Sequence, residues 1–252
     1  MEEISYTETH KVQSTHWWYQ GRLAILTAVF DRYLTRGSDA RILEIGAGSG
    51  VNIPLLQEFG QVEAVEMHPG GRAMIAERFE GVDVRDGALP DAAVFAGQTY
   101  DVVGMFDVLE HVEPHVEALV AIRENLSPDG RLFLTVPAYQ WLWSQHDEAM
   151  HHFRRYNADG LRSAFEEAGW QVEQVGYFNT ILFPLALIAR LKDRILRPAI
   201  SSGMSVPSGF VNRLFHRLFA SEARRVAKGG YPFGLSLMVV AKPQTAAQAI
   251  AA

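Results

Sequence analysis

An α/β fold, built on a parallel sheet with helices on both faces, is predicted by three features of the 252-residue chain. Short apolar runs alternate with segments of helical spacing, an order that calls for crossover connections and parallel strands. A glycine-rich turn joins the first of those runs to the following helix. The composition, 48% hydrophobic and 21% charged, is that of one large folded domain with a complete core rather than of a disordered or fibrous chain.

From Trp17 to Tyr33, the residues Leu23, Leu26, Ala28, Val29, Phe30 and Tyr33 recur at helical spacing, with Arg22 and Arg32 elsewhere on the helix. After the breaker Gly37-Ser38-Asp39-Ala40, RILEI reads as a short buried strand, and QVEAVE, VDV, YDVVGMF and RLFLTV repeat the pattern. Pro114 opens a helix through Val116, Leu119, Val120 and Ile122, which stops before a turn at Ser127-Pro128-Asp129-Gly130. Asn157 is the expected N-cap of ADGLRSAFEEAG, and Gly169 the residue that ends it. WQVEQVGYF and GLSLMVVAK are two further strands, with 55 residues between them.

That interval is basic in an acidic protein. Net charge is -6, yet residues 179–231 carry nine Lys/Arg against two Asp/Glu. Arg190, Arg194 and Arg197 share one stripe of a helix over 181–197, opposite Leu185, Ile188, Leu191 and Ile195. A second helix over 211–228 places Val211, Leu214, Phe215, Leu218 and Phe219 on one face and Arg213 with Arg217 elsewhere. Such helices fit an acceptor lid, a homodimer contact, or peripheral attachment to an anionic membrane surface through 181–228. Nucleic acid is not expected as a partner, because the core is acidic and the basic residues sit on helices with broad apolar faces. The apolar stretch Tyr177–Ala189 is 13 residues long, too short to span a bilayer. The polar start MEEISYTETHKVQ shows no signal or transit peptide, and the absence of cysteine excludes disulfides and thiolate sites. The expected location is the cytoplasm, with the inner membrane face as a peripheral site.

The residues ILEIGAGSG, 42–50, place Gly46, Gly48 and Gly50 in a turn between strand and helix, where the backbone can approach a ligand closely. Glu66 follows 20 residues after Gly46, at the end of the second strand, placed to accept hydrogen bonds from a ribose diol. A dinucleotide fingerprint would run G-x-G-x-x-G, but here Val51 stands at the third glycine position. Glu44 would also sit poorly beside a pyrophosphate and well beside a cationic amino acid. S-adenosylmethionine carries an α-ammonium and a sulfonium, and no phosphate. A nicotinamide-dependent oxidoreductase and a non-catalytic cofactor-binding protein are the alternatives.

E-x-G-x-G-x-G, Glu66, the RDGALP segment and YDVVGMFDVLEHV together resemble a class I S-adenosylmethionine-dependent methyltransferase. The likeness covers roughly residues 15–178 and implies a Rossmann-like, seven-stranded, mostly parallel sheet with an antiparallel last strand. It further implies one methyltransferase domain: an N-terminal lid at 1–38, a cofactor-binding core at 39–178, a helical insert at 179–231 and a last strand at 232–242. Gly46, Ala47, Gly48 and Gly50, with Glu44 and Asn52, would line the methionine part. Glu66 would hold the ribose and Met67 the adenine face, with Asp86 on the adenine amine beside Gly87 and Ala88. Phe106, Asp107 and Val108 would flank the cofactor after the fourth strand.

HWWYQGR at 16–22 and His152-Phe153-Arg154-Arg155-Tyr156 resemble a bacterial subgroup of these methyltransferases whose substrates are mostly unassigned. Trp17, Trp18 and Tyr19 would be either core packing or a lid over the cofactor, with Arg22 pairing the methionine carboxylate. Oxygen is the expected methyl acceptor, on a small or lipid-linked molecule, because candidate bases are present: His111 after strand four and His152 after strand five. Asp147 would orient one of them or bind an acceptor hydroxyl. Tyr156 joins this catalytic set, or anchors the loop with Arg154 and Arg155. Asp101, Asp107 and Glu110 cluster in sequence, but Asp101 falls at the far end of its strand, so no metal is expected.

Overall fold

A computed structural model of the protein describes residues 12–196 and 206–244, together with all of their side chains except those of 190–196. The side chains of the expected stripe Arg190, Leu191, Arg194 and Ile195 are not described, and Arg197, His10 and the tail from 245 lie outside the described residues. Along the chain run α1 (Trp17–Tyr33), β1 (Ala40–Ile45), α2 (Ile53–Gln57), β2 (Gly60–Val65), α3 (Pro69–Arg78), β3 (Asp83–Arg85), β4 (Tyr100–Phe106) and α4 (His115–Glu124). There follow β5 (Leu126–Pro137), α5 (Gln145–Ala149), α6 (Ala158–Glu167), β6 (Trp170–Phe178), α7 (Phe183–Leu196), α8 (Gly209–Ala220), α9 (Ala223–Val226) and β7 (Ser236–Pro243).

The seven strands form one sheet in the order β3-β2-β1-β4-β5-β7-β6. Strands β1 to β5 pair in parallel, while β7 runs antiparallel to both β5 and β6. Alternation along each strand divides the core in two. Leu43, Ile45, Val103, Met105, Leu237 and Val239 face the cluster closed by α4 and α6, through residues such as Leu119, Ile122, Leu161 and Phe165. Ile42, Val102, Phe106, Met238 and Val240 face the cluster closed by α1, α2 and α8. Asn157 caps α6 by accepting from the Gly160 N–H at 2.7 Å, and Gly169 ends it at φ +79°.

Two local features differ from the sequence reading. The Ser127–Gly130 stretch lies within β5, which pairs from Leu126 to Tyr100 and then resumes from Arg131 to Val102 after a register shift. The turn residues are therefore an outward bulge in a strand. In α1 the buried face is Arg22, Ile25, Leu26, Val29 and Phe30, so Arg22 belongs to the inner stripe rather than the outer surface. Its guanidinium is tolerated there because it pairs with an acid from another part of the chain.

The insert packs on the N-terminal helix. Phe219 is fully buried, the rings of Phe215 and Phe219 meet Trp17 edge-on at 5.5 and 5.8 Å, and Gly21 leaves room where a Cβ would strike Phe219 Cδ1 at 2.4 Å. Asn212 Oδ1 accepts from Trp17 N at 2.9 Å. Glu222, also fully buried, fixes the start of the insert: its Oε1 accepts from Thr180 N (2.8 Å) and Ile181 N (2.7 Å). Glu222→Ala should leave both donors unpaired and cost about 2–4 kcal/mol, readable as a lower urea midpoint. Among the described residues no helix is long and apolar enough to cross a membrane.

Candidate functional site

The register of the sheet assembles one side of the candidate site. Ile45 lies level with Val65 of β2 and Met105 of β4, so the chain leaves all three strands at one edge. Gly46, Glu66 and Asp107 therefore emerge side by side, at the carboxyl ends where parallel sheets bind ligands. Gly46 (φ +71°) passes beneath Val108, whose Cγ2 would lie 2.5 Å from an added Cβ. Gly48 (φ +60°) is open: among the described residues no atom lies within 4 Å of the Cβ position. Its N–H donates to Glu66 Oε2 at 2.7 Å, and Glu66 Oε1 accepts from His68 N at 2.8 Å. Glu44 is 1% exposed; Asn52 Nδ2 donates to its Oε1 at 2.7 Å, while Oε2 finds no partner among the described residues. Burial pushes the Glu44 carboxyl up to about 7, against the pull of Asn52 and the Arg22 charge. Arg22 donates to Asp107 Oδ2 at 2.5 Å and lies over the Trp18 ring at 4.6 Å, with the Tyr19 ring at 6.0 Å. Asp107 itself sits at φ +58°.

Asp86, Gly87 and Ala88 leave the end of β3, next to Glu66, whose N–H donates to Arg85 O at 3.0 Å. Asp86 is largely exposed and pairs with Arg72 at 2.9 Å. Met67 is 67% exposed at the same edge, whereas the Phe106 side chain turns into the core toward Phe30, at 6.1 Å between ring centroids.

A second cluster is stapled across the ends of β4 and β5. Phe153 N donates to Glu110 O at 2.8 Å, and Arg154 reaches the carbonyls of Val112 and Glu113 at 2.9 and 2.8 Å. The fully buried Asp147 accepts from His152 Nδ1 (2.9 Å), Arg155 Nε (2.7 Å) and Nη2 (3.0 Å), and from Ser144 N and Oγ (2.9 and 3.0 Å). These five bonds occupy the about four lone-pair sites of a carboxylate, so Asp147 orients His152 and has none left for an acceptor hydroxyl. Burial alone would raise its pKa, but the hydrogen bonds from His152 and Arg155 and the Arg155 charge hold it well below the carboxylate range. The His111 and His152 rings meet edge-on at 4.5 Å. Burial, followed by the neighbouring His152, pushes His111 down to about 4. Glu110, 1% exposed, is raised well above its usual value by burial and then by the Asp107 charge. Tyr156 stands apart, buried in the core with its hydroxyl 3.2 Å from His115 Nδ1.

Residues 17–175 match the Methyltransferase domain family. The chain belongs to this family. S-adenosylmethionine is accordingly its methyl donor, and Glu44 Oε2 with the open space at Gly48 suits the donor's α-ammonium and methionine backbone. The mitochondrial ubiquinone biosynthesis O-methyltransferase of Schizosaccharomyces pombe is 29% identical over 174 residues, 61% of this chain and 63% of that protein, which is less than two thirds of its length. In three dimensions the chain is similar to one from the complex between the Haloferax volcanii Trm112 methyltransferase activator and its methyltransferase, with TM-score 0.60 at 16% identity over 96% and 95% of the two chains. It is also similar to an S-adenosylmethionine-dependent methyltransferase of Archaeoglobus fulgidus, with TM-score 0.54 at 17% identity over 87% and 94%. These two likenesses establish the Rossmann-like methyltransferase fold.

In this methyltransferase the structure brings together Glu44, Gly46, Gly48, Asn52, Glu66, Asp107 and Arg22 on one side and His111, Asp147 and His152 on the other. The sequence-adjacent acids do not meet as a set. Asp101 sits at the opposite end of β4, where it accepts from Arg41 N and Ser127 Oγ, while Asp107 is held by Arg22. Glu110 instead joins His111 and His152, 42 residues further along, a grouping that adjacency in sequence does not reveal. Arg155, expected as a loop anchor, holds Asp147, whereas Ser144, the remaining partner, escaped the sequence reading. The Ser144-x-x-Asp147 spacing of a capping box was the signal that could have found it.

Proposed function

We propose that this methyltransferase transfers the methyl group to a hydroxyl oxygen, most simply of a phenol, on a small or lipid-linked acceptor. The observation that carries the reading is the His152–Asp147 pair, held at the ends of β4 and β5 beside the cofactor edge. S-adenosylmethionine supplies an electrophilic methyl carbon on a sulfonium. Arg22 would exchange its Asp107 contact for the methionine carboxylate, with Trp18 and Tyr19 covering it. Glu44 and Asn52 would meet the α-ammonium, and Glu66 the ribose. Met67, Asp86, Gly87 and Ala88 would border the adenine. His152, its Nδ1–H directed at Asp147, presents Nε2 to accept the acceptor's proton as the oxygen attacks. Tyr156 and Arg154 anchor this loop.

An O-methyltransferase name on the fission-yeast relative supports oxygen as the target. Exposed apolar side chains on the insert, among them Leu185, Ile188, Phe210 and Leu214, support a lipid-linked acceptor reached at a membrane surface. The test uses methyl-labelled S-adenosylmethionine, cell extract and the full chain, with label counted in organic and aqueous phases. His152→Ala should lower turnover by about 10²–10⁴-fold and leave S-adenosylhomocysteine binding unchanged. Full turnover in that variant would remove the base role, and label confined to the aqueous phase would remove the lipid-linked acceptor.

A further inference from the structure

We infer that Glu110, His111 and His152 form a three-ligand site for a divalent transition-metal ion of the zinc type, with an open position left for the acceptor oxygen. One donor atom from each of the three side chains lies within 4.8 Å of the others. Donors around a tetrahedral zinc at about 2.1 Å stand about 3.4 Å apart, so an ion would draw the three donor atoms together from their separations of up to 4.8 Å.

Three further observations favour an ion over three polar groups that merely pack together. Glu110 is almost completely buried, yet its Oε2 finds no partner among the described residues. A carboxylate oxygen in that state awaits a cation or a proton. His152 already makes the bond that metal-bound histidines make, since its Nδ1–H points at the Asp147 carboxylate and its Nε2 lone pair is left free for ligation. The two contributing segments are also held together, because Phe153 N donates to Glu110 O. Nearby cations do not oppose it: Arg155 is spent on Asp147, and Arg154 on the carbonyls of Val112 and Glu113.

Two imidazoles and one carboxylate select zinc, cobalt or iron(II) over magnesium, which requires oxygen donors. Three protein ligands leave a fourth position open, as catalytic sites do. The role of that position rests on the O-methylation proposed above, whereas the ion site does not. An acceptor hydroxyl bound there would lose its proton to solvent more readily. Its oxygen then forms the bond to the methyl carbon as the carbon–sulfur bond breaks, and the electron pair stays on sulfur. In the ion-bound protein His152 would be a ligand and the proton would pass to solvent; the base role proposed above belongs to the ion-free protein.

Equilibrium dialysis of the chelator-stripped full chain against Zn2+ tests the site, with Co2+ as a spectroscopic reporter and S-adenosylhomocysteine binding measured on the same samples. The expected result is one Zn2+ per chain, not displaced by excess Mg2+, and intense Co2+ ligand-field bands. Affinity should fall at least about 100-fold in His152→Ala and in Glu110→Gln. The Gln variant is isosteric and removes a buried charge, so it should fold. Failure to bind stoichiometric Zn2+, or binding unchanged in both variants, would overturn the inference. Intact S-adenosylhomocysteine binding in that case would leave the methyl-transfer reading standing.

Discussion

Glu44→Gln should make the unliganded protein more stable and the cofactor bind less well. The folded-state pKa of Glu44 lies near 7 rather than 4.5, raised by burial. Its ionised form is thus disfavoured in the native state. As pH rises from 4.5 toward 7, the unfolded chain loses this proton before the folded one does, so the wild type loses stability across that window and the loss levels off above it. At pH 8 the difference from the Gln variant should reach about 3 kcal/mol, or roughly 6–10 °C in melting temperature. Gln can still accept from Asn52 through its oxygen. It offers an amide to the cofactor's ammonium, however, so S-adenosylhomocysteine should bind at least about tenfold more weakly. Thermal melts from pH 5 to 8, with and without S-adenosylhomocysteine, measure both effects. A variant that is less stable without ligand, or that keeps the full ligand-induced shift, would contradict the assignment.

Asp147→Ala has the opposite expectation, a loss of both stability and turnover. Removing one partner of a buried ion pair leaves the other charge unpaired, at a cost of about 3–5 kcal/mol. Here the stranded group is Arg155, with only 6% of its side chain exposed. Ser144 loses its capping partner and His152 its orientation in the same step. The urea midpoint should fall with little change in slope, and methyl transfer should be lost at temperatures where the variant is still folded. Normal turnover would mean that the Asp147 network serves the fold and not the reaction.

Much of this molecule was legible because its signals are local. The strand runs, the G-x-G-x-G turn, the Asn157 cap and the final antiparallel strand all follow from neighbouring residues or from family likeness. Unreadable features depend on partners distant in sequence. Arg22 was expected to face a ligand carboxylate, but its partner Asp107, 85 positions away, was not read as its acid. The company that Glu110 keeps is fixed by a backbone bond from Phe153, and proximity in sequence suggested Asp107 instead. The seat of Phe219 on α1 depends on a missing Cβ at Gly21, a steric fact that no helical periodicity encodes.

The strand order sets a schedule for biosynthesis. Because β7 is slotted between β5 and β6, a strand synthesised after both must insert between two that have already emerged. Until residues 236–243 arrive, β5 and β6 each expose an unpaired edge, an invitation to pair with other chains. Glu222 of the insert grips backbone next to β6, so the helices before β7 settle together with β6. Nascent chains stalled before Ser236 should therefore remain protease-sensitive and prone to association, even with most of the cofactor-binding half already synthesised.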